Sequence, residues 1–293
     1  MEITADELAR RVEFAKDLLR SCMLCPRRCR VDRTAGETGF CGMGADLVVS
    51  SWGPHFGEEP ELVGTGGSGT IFLTGCSLGC IFCQNYDISR LRQGRACSAG
   101  ELALAMVALQ DQGCHNINFV TPTHCVPQIL EAIALARDRG LSVPVVYNCG
   151  GYENPETLRL LDGVVDIYMP DAKFADRSVA QCLSDAPDYF EVLKAALLEM
   201  HRQVGDLVCT RQGIAVRGLL VRHLVLPGGM AGTGDVLAFI STEISKETYV
   251  NIMTQYRPMY RASEVVELDR LPTGEELSSA FERARELGLK RGF

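Results

Sequence analysis

The sequence predicts an α/β protein built as a partial (β/α)6, TIM-like barrel preceded by a cysteine-rich lobe. Three observations carry this. Six short apolar runs, Thr70 to Thr74, Asn116 to Thr121, Val143 to Asn148, Val165 to Pro170, Leu219 to Leu226 and Thr248 to Met253, are each bounded by Gly, Pro, Asn or Asp and read as strands. Helical patterns lie between and after them. Runs such as Leu219-Leu-Val-Arg-His-Leu-Val-Leu226 are nearly continuous in apolar residues, which suits a parallel sheet covered by helices. Six βα units are too few for a closed eight-stranded barrel, and an open doubly wound sheet is the alternative topology. The expected boundaries are residues 1–69 for the amino-terminal helix and cysteine-rich lobe, and 70–293 for the barrel.

In chain order, Thr4 and Glu7 have capping-box spacing, and Leu8, Val12, Ala15 and Leu19 recur on one face of the helix that follows. From Cys22 to Gly69 periodicity is weak and Gly and Pro are frequent, so this part is expected to wrap a core built by the rest. Helices are then expected near Ser98 to Gln112, Pro127 to Arg139, Pro155 to Leu161, Asp188 to His201, Thr233 to Glu243 and Gly274 to Leu287. Two of them carry capping boxes, Ser98 with Glu101 and Thr273 with Glu276.

The 293 residues are 46% hydrophobic and 23% charged, with a net charge of −8. That composition suits one substantial buried core and argues against disorder. No apolar run approaches the roughly 18 to 20 residues of a bilayer span. The negative charge offers no broad footprint for nucleic acid or an anionic membrane, although Arg27, Arg28 and Arg30 form a local basic cluster. The acidic start is not that of a signal peptide, and a cytoplasmic location is expected.

Cysteine is the informative count. Thirteen thiols in a chain of this size are better explained as ligands than as a disulfide scaffold. Cys76, Cys80 and Cys83 follow the first strand with C-x3-C-x2-C spacing, so three thiolates converge on one loop. A tetrahedral zinc site would want a fourth protein ligand, whereas a [4Fe-4S] cluster on three cysteines leaves one iron open. Cys22, Cys25, Cys29 and Cys41 supply four thiols, enough to close a site for either structural zinc or a second [4Fe-4S] cluster. The remaining six cysteines are expected to be small buried hydrophobes, with Cys125 and Cys149 nearest the barrel mouth.

The triplet, with Phe82 just before its third cysteine, resembles the signature of the radical S-adenosylmethionine (SAM) superfamily. Gly69-Thr-Ile-Phe-Leu73, Cys83-Gln-Asn-Tyr86, Phe119-Val-Thr-Pro-Thr-His124, Tyr168-Met-Pro-Asp-Ala-Lys173, Val221-Arg-His-Leu-Val-Leu-Pro-Gly228 and Met253-Thr-Gln-Tyr256 extend the resemblance to the PflX branch, which is similar to pyruvate formate-lyase activating enzymes. The resemblance implies a cluster that binds SAM and cleaves it to a 5'-deoxyadenosyl radical for hydrogen abstraction. It also implies a low-potential electron donor such as flavodoxin or ferredoxin, and a glycyl radical enzyme as substrate. Radical modification of a small molecule or peptide is the alternative. A non-catalytic iron-sulfur or zinc scaffold is the reading from another class.

Barrel chemistry sits at the carboxyl ends of strands. The residues there are Thr121, Thr123 and His124, then Asn148 and Cys149, then Asp171 and Lys173, and after the last strand Gln255 and Arg257. By resemblance Asp171 and Lys173 form the D-x-K pair that contacts SAM, and Arg222 faces SAM. The Gly-Gly-Glu stretch that binds the SAM amino group in many of these proteins is replaced by Thr121-Pro-Thr-His124, so Thr121 and Thr123 are the candidates for that contact. Asn148, Cys149, Met169 and Asp171 align with a monovalent-cation site, though Asn148-Cys149 replaces the family's Asp-Thr. His124 is a candidate for substrate contact or proton donation. Arg257 offers a fork for a carboxylate and Gln255 a cofactor contact.

Overall fold

The computed structural model describes residues 3–293. Among the described residues one sheet contains β1 Leu47–His55, β2 Ser68–Leu73, β3 Arg95–Cys97, β4 Ile117–Val120, β5 Val145–Cys149, β6 Ile167–Pro170, β7 Val208–Cys209, β8 Ala215–Leu224 and β9 Tyr249–Met253. The six predicted strands are β2, β4, β5, β6, β8 and β9. They pair in that order, and every neighbouring pair is parallel. This is the partial barrel, not the doubly wound sheet. The helices are α1 Ala5–Asp17, α2 Pro60–Val63, α3 Tyr86–Ser89, α4 Ala99–Asp111, α5 Val126–Arg137, α6 Pro155–Arg159, α7 Arg177–Ser184, α8 Tyr189–Val204, α9 Thr233–Phe239 and α10 Gly274–Glu286. Of the three capping-box spacings, those at α4 and α10 form full boxes, whereas at α1 Thr4 accepts from the Glu7 N–H and the Glu7 carboxylate pairs with Arg10 and Arg11. None of the helices among the described residues is long and apolar enough to cross a membrane.

The amino-terminal segment does more than wrap the barrel. β1 pairs antiparallel with β2 on one side and β3 on the other, so residues 47–55 extend the same sheet, and the expected boundary at Gly69/Thr70 falls inside β2. β1 escapes a pattern search because a bulge between Val49 and Ser51 breaks its alternation and Pro54 sits near its end.

Strand alternation divides the apolar residues between two faces. Tyr147, Tyr168, Leu219 and Val221 belong to the large core beneath the helices. Val146, Ile167, Met169 and Leu220 point the other way, into the barrel, and pack with Leu62 of α2. The chain after β1 therefore turns into the barrel and closes its lower end, with Leu62 fully buried as a plug. Burial of that side chain contributes about 1.5–3 kcal/mol.

Candidate functional site

Above the plug, the carboxyl ends of the parallel strands bring charged side chains together. The register sets Asn148 beside Met169, and Arg222 beside both Asp171 and Asn251. Lys173 Nζ lies 2.6 Å from Asp171 Oδ2, and Arg222 Nε donates to Asp171 Oδ1 at 2.8 Å. The same guanidinium donates to Asn148 Oδ1 at 2.8 Å and to Glu58 Oε2 at 3.3 Å. Burial works to raise the Asp171 carboxyl, but the adjacent Arg222 and Lys173 charges overcome it and hold the carboxyl below its ordinary value. Lys173 is buried too, and there the Asp171 carboxylate outweighs desolvation and raises the ammonium well above its usual range.

Cys76, Cys80 and Cys83 lie on the loop leaving β2, and all three thiols are free. Gly79 turns this loop with φ 71°, a left-handed conformation that favours glycine. The three sulfurs feel one another's charge, and Cys80 and Cys83 also feel Lys173. Burial pushes the Cys80 thiol up to about 12. Donors nevertheless point at the sulfurs: Leu78 N–H lies 3.3 Å from Cys76 Sγ, Ser184 Oγ lies 3.1 Å from Cys80 Sγ, and the backbone at Asn85 donates to Cys83. A buried sulfur surrounded by donors is stabilised as a thiolate once a metal removes its proton. The donor set fits an iron-sulfur cluster held by three cysteines. Among the described residues no group of three or more His, Cys, Asp or Glu forms a single-ion site.

The amino-terminal thiols gather in the same way. Cys25 and Cys41 each feel Cys22 and Cys29, and burial pushes Cys25 up to about 12. Backbone N–H groups of Arg27, Met43 and Phe40 are aimed at Cys25, Cys41 and Cys29, the last at 3.4 Å. Gly39 passes so close to Cys29 that a Cβ would meet its sulfur at 2.7 Å. Arg27, two residues after Cys25, spans to the other thiol loop. Its guanidinium donates to the carbonyls of Ser77 (2.9 Å), Leu78 (3.2 Å), Ser184 (2.7 Å) and Asp185, and it stacks 3.7 Å from the Phe40 ring centre.

The other predicted residues fall out differently. Thr121 follows β4 with a left-handed φ of 62°, its N–H bonded to the Asn148 carbonyl. Thr123 is turned away from the mouth: it is buried and gives its hydroxyl to Glu153 Oε1 at 2.6 Å. His124 is corrected from a mouth residue to an interior one. Its ring is 1% exposed, Nε2 is bonded to the Thr74 carbonyl at 2.7 Å, and burial drives it down to about 4, leaving it neutral and unable to act as a cationic proton donor. Cys149 alternates to the outer face and bonds Glu153, so its side chain does not join those of Asn148, Met169 and Asp171. The Arg222 guanidinium itself sits between Asp171 and Asn148. Gln255 and Arg257 are exposed on the loop after β9. His223 is fully buried between the Ala172 carbonyl and Thr233, as suits a structural residue.

Several polar residues inside the barrel, below the mouth, have no motif to announce them. Glu58 and Glu59 come from the loop leading into α2. Glu59 receives both its hydrogen bonds, at 2.8 Å, from the Asn251 amide. Asn118 is the polar interruption in the apolar strand Ile117-Asn-Phe-Val120, the one signal that pointed to it.

The radical SAM superfamily profile matches residues 70–214. Uncharacterized protein MJ0674 of Methanocaldococcus jannaschii is 33% identical over 289 residues, which cover 95% of this chain and 78% of that protein. Uncharacterized protein MJ0808 of the same organism is 24% identical over 300 residues, covering 92% and 78%. Among solved structures the chain is similar in fold to a radical SAM methyltransferase from Sphaerobacter thermophilus, with a TM-score of 0.50, 14% identity and coverage of 76% of this chain and 65% of that one. It is likewise similar to HydG, a maturase of the [FeFe]-hydrogenase, with a TM-score of 0.54, 11% identity and coverage of 99% and 63%. The chain thus spans a little under two thirds of each of those two structures. With a cysteine loop of matching spacing at the mouth of a partial barrel, the chain belongs to the radical SAM superfamily. Membership implies a [4Fe-4S] cluster and SAM.

Proposed function

We propose that Cys76, Cys80 and Cys83 hold the cluster and that Asp171, Lys173 and Arg222 bind SAM beside it. The observation that carries this reading is the meeting of Lys173 with both Asp171 and the Cys80 loop at the end of one strand. Held there, the cluster would supply one-electron reductive cleavage of SAM, to methionine and a deoxyadenosyl radical for hydrogen abstraction, with the electron coming from a low-potential donor such as flavodoxin or ferredoxin. The protein's own residues position and shield. Lys173 supplies a cation for the SAM carboxylate, Asp171 an acceptor for its ammonium group, and Arg222 fixes the Asp171 carboxylate in place. The left-handed backbone at Thr121 turns the chain at the mouth, where its hydroxyl is a further contact for SAM. Gln255 and Arg257 lie on the loop that borders the mouth and are available to an incoming substrate or partner.

Cys22, Cys25, Cys29 and Cys41, whose side chains as placed here do not form a single-ion site, are proposed to draw together around a second [4Fe-4S] cluster or zinc with a structural role. Activation of a glycyl radical enzyme is the substrate reading from sequence resemblance. The charged residues at the floor of the mouth favour the other reading, modification of a small molecule or a side chain that enters the barrel. The test is anaerobic reconstitution, reduction and addition of SAM, with 5'-deoxyadenosine quantified against a Cys76/Cys80/Cys83→Ala control. Product that depends on the three cysteines is expected. A fully loaded, reduced cluster that neither binds nor cleaves SAM would favour the scaffold reading.

A further inference from the structure

The inside of the barrel, between the Leu62 plug and the Asp171–Arg222 pair, is lined by polar groups that the fold leaves under-satisfied. Asn118 is fully buried, and neither its amide nitrogen nor its oxygen has a hydrogen-bond partner. Its register partners are Thr70 and Val146, and Val146 packs on Leu62, so the Asn118 side chain shares the inner face. Two residues earlier on that face, the Asn116 amide donates to the Leu62 carbonyl at 2.8 Å, which sets Asn118 one layer above the plug. Across the barrel, Glu59 is 7% exposed and takes its hydrogen bonds from the neutral Asn251 amide, feeling the Arg222 charge only at a distance, without a hydrogen bond to it. Glu58 beside it shares Arg222 with Asp171 and Asn148. Glu61, on the same segment, has a buried carboxylate oxygen without a hydrogen bond.

Glu58 and Glu59 thus approach this space, Glu61 being turned to Tyr249 at the level of the plug, and the nearby guanidinium is divided among several acceptors. A buried carboxylate hydrogen-bonded only by an amide and a buried amide with no partner are both costly to hold in an apo fold. Both costs are offset by one kind of ligand, a molecule that brings a cation to the glutamates and a donor–acceptor pair to the asparagine.

We propose that this floor is the substrate subsite and that it takes a protonated primary amine, with the ammonium on Glu59 and Glu58 and a neighbouring amide or carbonyl group of the same molecule on Asn118. The proposal rests on the radical SAM reading of the mouth above it, and it names the substrate class of that site. An ammonium on a lysine side chain and one on a free small molecule share this chemistry.

The test uses the anaerobically reconstituted protein and three probes measured by calorimetry: N-acetyl-L-lysine amide, L-norleucine amide and the uncharged N-acetyl-L-norleucine amide. One of the two ammonium probes is expected to bind at least tenfold tighter than the uncharged one. The lysine probe winning indicates a side-chain source, and the norleucine amide a free α-amine. In Glu59→Gln that preference is expected to fall at least tenfold, with SAM affinity changing less than threefold. Asn118→Leu, close in volume, is expected to weaken the preferred probe while raising the melting temperature, a combination that a packing role does not produce. Equal binding of charged and uncharged probes, a preference that survives Glu59→Gln, or an equal loss of SAM affinity in that variant overturns the proposal. Failure of wild type to cleave SAM refutes the reading of the mouth instead, and the probe preference is read independently of it.

Discussion

Arg27 is the point at which the amino-terminal thiol group can be uncoupled from the barrel. Its guanidinium holds the carbonyls of Ser77 and Leu78 in the Cys76–Cys83 loop, and those of Ser184 and Asp185 at the end of α7. Ser184 is 2% exposed and itself donates to Cys80. Hydrogen bonds from a charged donor contribute about 1.5–3 kcal/mol each when isolated. The four here share one half-buried side chain and are not additive, and the stacking on Phe40 contributes about 0.5–1 kcal/mol. Arg27→Ala is therefore expected to cost about 3–5 kcal/mol, since it also leaves the Ser184 carbonyl buried without its donor. Urea unfolding of the anaerobically loaded protein measures the loss. The electron paramagnetic resonance spectrum of the reduced cluster should broaden, because the Cys80 sulfur loses its fixed Ser184 donor. Arg27→Lys keeps the charge but not the fork and should recover less than half of the stability. A loss below about 1 kcal/mol with an unchanged spectrum would refute the reasoning, since a value that small is typical of exposed surface contacts.

Arg222 occupies the position between Asp171 and Asn148 that an ion would need, so SAM binding by wild type should be indifferent to exchanging Na+ for K+ in equilibrium dialysis. Arg222→Ala should weaken SAM on the order of tenfold or more, about 1.4 kcal/mol per decade, and acquire a dependence on the cation supplied. Lys173→Met should lose SAM affinity while its iron content, measured by plasma emission, stays at the wild-type level. Glu153 gives a pH signature. Burial pushes its carboxyl up to about 7 from an ordinary 4.5, against the hydroxyls of Thr123 and Tyr147 that favour the charged form. The folded state therefore holds this proton more tightly than the unfolded state. The associated stability is complete below pH 4.5 and is lost as pH rises through about 7, by up to roughly 3 kcal/mol. Urea midpoints across that window should fall in wild type and flatten in Glu153→Gln; parallel profiles would show that another group sets the slope.

The six parallel strands and the capped helices were legible because their signals are local: apolar runs between turn residues, and Ser or Thr three residues before Glu. The cysteine spacing was legible for the same reason, since one loop carries all three thiols. His124 was misread because its place after a strand suggested the mouth, while its burial depends on Thr74 and on Arg33, which are distant in sequence. Glu58 and Glu59 carried no local signal at all. Their meaning comes from a loop in the turn-rich segment folding into the barrel to meet Arg222 and Asn251, a tertiary fact that no spacing rule contains. Arg27 and Ser184 were hidden likewise, since each acts on a loop more than fifty residues away or nearly so.

The inward fold of residues 56–63 separates two tasks along the chain. The superfamily profile spans residues 70–214 and so contains the thiol loop and the Asp171–Lys173 pair proposed to serve SAM, while Arg222 lies beyond its end. The glutamates at the barrel floor lie before the profile, on a hairpin extension joined to the edge of the sheet. If the proposed roles hold, the segment beneath the thiol loop is separable from the parts that would bind SAM. Grafting residues 47–67 from one relative to another is the rational place to begin redirecting such an enzyme.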